Sequence, residues 1–74
     1  MRPGDVVRVK HDLHYLWTNC DERRSEAAIA VDVRGDSFVL IVAVHGAYAL
    51  VLCNGSDGTT VVGWKYTRYF EELR

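Results

Sequence analysis

Ser37–His45, SFVLIVAVH, is the stretch that decides the fold class of this chain. Its middle is β-branched, and branched side chains pack best on the pleated surface of a strand. Side chains alternate across a strand, so Phe38, Leu40, Val42 and Val44 share one face and Val39, Ile41 and Ala43 share the other. Both faces are apolar. A strand of that kind belongs at the centre of a sheet, bent between two packing surfaces.

Toward the C-terminus, Gly46 permits a tight turn and AYALVLC, residues 47–53, reads as the antiparallel return strand. Asn54-Gly55 then opens NGSDGTT as a hairpin tip that needs a positive φ. VVGWKY, residues 61–66, is the next strand, with Gly63 marking a bulge or a close backbone approach. TRYFEEL is too short for a stable helix and predicts one 3₁₀ turn followed by a final edge strand. Toward the N-terminus, Arg34-Gly35-Asp36 is a turn that follows AAIAVDV, a short strand over residues 27–33. Pro3-Gly4-Asp5 is turn chemistry before VVRVK, whose alternation sets Val7 and Val9 opposite Arg8 and Lys10. HDLHYLWTNCDERRSE, residues 11–26, has neither a period of two nor a helical stripe and reads as a long loop, with room for a hairpin of its own. The result is an all-β chain of about five short strands in a small, partly open antiparallel barrel, with one 3₁₀ turn near its C-terminus.

A chain of 74 residues holds one domain, spanning 1–74, because it is too short for two independent cores. Such a domain hides only about 60% of the surface its unfolded chain exposes, so its core is small and oligomerisation would help it. The formal charge of -1 argues against nucleic-acid coating, which takes a clear excess of Lys and Arg. No stretch approaches the ~20 apolar residues of a membrane helix, and MRPGDVVRVK lacks a signal peptide's apolar segment. The sequence thus predicts a cytoplasmic protein. In a reducing compartment Cys20 and Cys53 are expected to be free thiols.

From Gly35 onward the pattern resembles the second half of an SH3 domain, or more broadly an SH3-like barrel, over residues 35–73. Gly35-Asp36 stands where that family opens its second long strand, and GAYALVLC, NGSDG and TTVVGW follow as its next strand, distal hairpin and third strand. The family's closing signature runs from a glycine through Pro-Ser-Asn-Tyr to an acidic-leucine end. Gly63, Trp64, Lys65-Tyr66-Thr67-Arg68-Tyr69 and Phe70-Glu71-Glu72-Leu73 fall in that order. Two departures bear on function. The groove tryptophan of peptide-binding members falls at about Ala47, beside Tyr48, and the signature's proline is replaced by Tyr66. Tyr69 alone of the proline-binding aromatics carries over cleanly, so recognition of PxxP peptides does not follow from the resemblance.

The rings are the richest candidate material. Tyr66 and Tyr69 are three apart across the expected 3₁₀ turn, and Tyr15 and Trp17 share a face if their segment is extended. With Tyr48 they make a candidate protein or peptide surface, while Trp64 and Phe70 are expected to fill the core. By resemblance, Asp21, Glu22 and Glu26 in the long loop would accept an arginine from a bound peptide. His11, His14 and Cys20 give H-x2-H-x5-C, a spacing that matches no established zinc pattern, and neither cysteine has a recognisable base beside it. No catalytic residue, metal or cofactor is expected. The reading is a non-catalytic binding or assembly module that contacts a protein, a peptide or a second copy of itself. Two alternatives stand beside it. One is a nucleic-acid-binding barrel that holds phosphates with Arg8, Lys10, Lys65 and Arg68. The other is an oligomeric enzyme with a pocket shared between subunits, of the kind seen in plasmid-encoded dihydrofolate reductases.

Overall fold

The computed structural model describes residues 1–20 and 28–73. Within them the chain is all-β: β1 (Val6–Val9), β2 (Leu13–Trp17), β3 (Ala28–Val33), β4 (Phe38–His45), β5 (Tyr48–Asn54), β6 (Thr60–Tyr66) and β7 (Phe70–Glu72), with a 3₁₀ helix at Thr67–Tyr69. All seven strands join one antiparallel sheet in the order β3-β2-β6-β5-β4-β1-β7, which leaves β3 and β7 as its edges. The count departs from the five expected. Leu13–Trp17 is a strand inside the segment that reads as loop, and its antiparallel partner is β3, which lies beyond that segment, in place of a hairpin of the segment's own. A register shift between Leu13 and Tyr15 breaks its period of two, which is why the pattern is hard to read.

A single sheet can enclose a core only by curling. Val7, Val9, Leu13, Leu16, Val33, Val39, Ile41, Ala49, Val51, Cys53 and Phe70 form one buried cluster on the inner face. In the central strand the register of β4 against β5 shifts between Ile41 and Ala43, and such a bulge increases the local twist. Gly63 supplies the second device. A Cβ added there would lie 2.5 Å from Leu16 Cβ and 3.1 Å from the Trp17 carbonyl oxygen, so only glycine lets β2 fold down onto β6.

The turns follow the sequence with one correction. Gly46, at φ 60, is the first of the two residues linking β4 to β5, where a type II′ turn requires positive φ. In the β5–β6 hairpin the positive φ falls on Gly58, at 86, and not on Gly55. The five-residue tip is closed instead by Gly55 N–H donating to Thr59 O at 2.7 Å, and Ser56 N–H donates to Asp32 O at 2.8 Å, which pins the tip to β3. Trp64 is a second correction. Phe70 is buried as expected, but Gly63 and Lys65 take the inner positions of β6, and alternation turns Trp64 to the outer face, half-buried. Among the described residues no helix is long and apolar enough to cross a membrane.

Candidate functional site

The curled sheet brings together rings that are far apart in the chain. Cross-strand register sets Tyr48 opposite Tyr66 and Trp17 opposite Trp64. Side chains directly opposite one another on a sheet face are close enough to touch. Tyr48 and Tyr66 accordingly stack, with ring centroids 4.9 Å apart and an interplanar angle of 28°. The 3₁₀ helix adds Tyr69, because three residues per turn place positions i and i+3 one above the other. Tyr66 and Tyr69 are 6.4 Å apart and 20° from parallel.

Trp17 is the hub. Its indole meets Tyr66 edge-on at 5.1 Å, Tyr48 at 6.3 Å and Tyr15 at 5.5 Å, the T-shaped geometry that ring quadrupoles favour. All five rings proposed from the sequence therefore belong to one unbroken cluster. Trp17 is 8% exposed and Tyr15 40% exposed, and the other three tyrosines are half-buried, so the cluster has a closed base and an open rim.

Among the described residues, two cations sit on these rings. Lys65 is 3% exposed, and its Nζ lies 3.6 Å from the Tyr15 centroid, 4.9 Å from Tyr69 and 5.0 Å from Trp17. It also donates to the Tyr15 carbonyl at 3.2 Å. Burial pushes its pKa below the ordinary lysine value. The ring faces offset part of that desolvation, since the negative face of an aromatic ring attracts a cation. The Arg68 guanidinium stacks 4.5 Å from the Tyr66 centroid and 5.7 Å from Tyr69. Lys65 was expected only as a phosphate contact. Its inward position is nonetheless written in the alternation of β6, where it falls on the same face as Gly63.

Among the described residues, the remaining sequence candidates do not join this cluster. Asp21, Glu22 and Glu26 lie outside the described residues. His11 and His14 are exposed, Cys20 is half-buried and Cys53 belongs to the core, where burial raises the pKa of its thiol. Among the described residues no group of three metal-ligating side chains converges. At the far end of the sheet Arg8 donates to Glu71, with its Nε 3.9 Å from Asp36. That pairing raises the Arg8 pKa and holds the Glu71 carboxyl below its ordinary value, through the hydrogen bond first and the opposite charge second. Comparison with protein-family models, with curated proteins and with solved structures gives no match to this chain.

Proposed function

We propose that this chain is a small SH3-like barrel acting as a non-catalytic binding module in the cytoplasm, which takes a protein or peptide segment across Tyr15, Trp17, Tyr48, Tyr66 and Tyr69. The observation that carries the reading is the contiguity of these rings. They come from four separate elements, and none of them is a member of the buried inner cluster, against which Tyr69 alone packs. Among the described residues of the inner cluster Phe70 alone is aromatic, so the five rings are not its main filling. Tyrosine and tryptophan give large, rigid contact area at low entropic cost, which suits a surface that meets a partner.

The SH3-like reading of the fold draws support from connectivity. Three long strands, β4, β5 and β6, follow one another through two hairpins, then a 3₁₀ turn leads to a short strand paired with β1. The nucleic-acid alternative draws less. Of its four phosphate contacts, Lys65 is buried on the chain's own rings and Arg8 is engaged by Glu71.

The test is selection of peptides from a random display library on the immobilised protein, followed by calorimetric titration of the selected peptides. Selected peptides are expected to lose at least about tenfold in affinity for Tyr69→Ala and for Tyr15→Ala. A selection that enriches no peptide, or peptides that bind both variants as tightly as the parent, would refute the proposal.

A further inference from the structure

The charges on the ring surface select the chemistry of the segment that the surface takes. Arg68 is exposed, and its guanidinium sits over Tyr66 and Tyr69 on the rim of the cluster. Among the described residues no carboxylate pairs with it, since the ion pairs join Met1 to Glu72 and Arg8 to Glu71 and Asp36. The donors of a guanidinium lie in its own plane, so contact through its face leaves them open to an acceptor. Resting on two rings also removes part of the side-chain freedom that pairing would otherwise cost.

The neighbouring charges act in the same direction. Lys65 holds its Nζ 4.9 Å from the centroid of Tyr69, the ring that Arg68 also approaches. Ring faces ordinarily draw cations, but here the chain's own Lys65 and Arg68 already occupy them, and an arriving lysine or arginine would meet two like charges. The groove beside Arg68 also carries Lys10. Its two carboxylates, Glu71 and Glu72, are taken by Arg8 and by the Met1 α-amino group. Among the described residues, the charges of this groove that make no ion pair, Lys10 and Arg68, are therefore both positive.

Building on the binding role proposed above, we infer that the segment taken across the rings is an acidic peptide, whose Asp or Glu side chain Arg68 receives as a bidentate ion pair. That sign is opposite to the arginine-bearing peptide that the SH3-like resemblance implies. A nucleic acid is also anionic, but its affinity comes from a series of phosphate contacts, and here Lys65 is buried and Arg8 is engaged by Glu71.

The test is the composition of the peptides that a random display library yields on the immobilised protein. Asp or Glu is expected at one position of the enriched peptides. Changing it to Asn or Gln in a synthetic copy is expected to raise the dissociation constant about tenfold in calorimetry, and this change leaves the protein itself unaltered. Arg68→Gln is expected to cause a similar loss with the acidic peptide and no further loss with the neutral one, the non-additivity that marks a direct contact. Circular dichroism checks that this exposed-site variant is folded. Enriched peptides that are basic or uncharged would overturn the inference and leave the binding role standing. So would acidic peptides that bind Arg68→Gln as tightly as the parent, or a single-stranded oligonucleotide that binds through Arg68 while no acidic peptide is enriched. A library that yields no peptide at all refutes the binding role, and the inference with it.

Discussion

The two faces of β4 are made of the same kinds of residue and have opposite fates. On the inner side Val39 and Ile41 are 3% and 0% exposed, while on the outer side Phe38 and Leu40 are 62% and 36% exposed. Apolar character is common to both, and coverage separates them. The sheet curls toward one side, helped by the β4 bulge and by the contact of β2 at Gly63, and in doing so encloses one face and stretches out the other. The inner face holds the fold. The outer face, which carries Val6, Phe38, Leu40 and Val62, stays partly open to solvent.

The sharpest way to break this contrast is a matched pair of truncations. Ile41→Ala removes a fully buried side chain, and urea unfolding is expected to register a loss of about 2–5 kcal/mol. Val62→Thr, measured in dilute protein, is expected to stay within about 0.5 kcal/mol of the parent. Equal losses at the two positions would erase the distinction between the faces. Gly63→Ala probes the curl itself. Its Cβ would sit 2.5 Å from Leu16 Cβ, so strain of about 1–3 kcal/mol is expected in the same assay.

Smaller effects come from the charged groups. The Lys65 pKa is lowered by burial, so the folded chain releases that proton more readily than the unfolded chain does. Stability should therefore rise as pH climbs through the folded-state pKa toward the unfolded value of about 10.4. Lys65→Met should abolish this rise, and the difference between the two pH curves removes the tyrosine titrations common to both. Glu71 behaves in the opposite sense. Its lowered pKa contributes stability above the unfolded value of about 4.3, and that contribution is lost as pH falls through the folded-state value. Glu71→Gln should flatten the acid limb of the thermal unfolding profile, the smallest of these changes.

Much of this arrangement was legible in the residues. SFVLIVAVH announces a central strand with two apolar faces, and Gly63 announces a close approach, because these features depend on local alternation and on the size of one side chain. The five rings were legible as candidates by type and spacing. β2 was not, because its bulge breaks the period that makes strands readable, and its partner is set by Gly63, which lies 46 positions beyond Trp17. The misplacement of Trp64 has a related cause. A large aromatic suggests the core by size, yet Gly63 and Lys65 on either side of it had already taken the inner positions. Lys65 was hidden for the same reason, since a lysine reads as a surface residue until its strand parity is followed.

The claim that the rings serve contact, and not the core, is tested most directly by urea unfolding of the double variant Tyr15→Ala/Tyr69→Ala. With the rings outside the buried cluster, the variant is expected to fold cooperatively and to lose less than about 2 kcal/mol. A loss beyond about 5 kcal/mol, the range of core aromatic truncations, would make the cluster part of the core and contradict the binding role given to it.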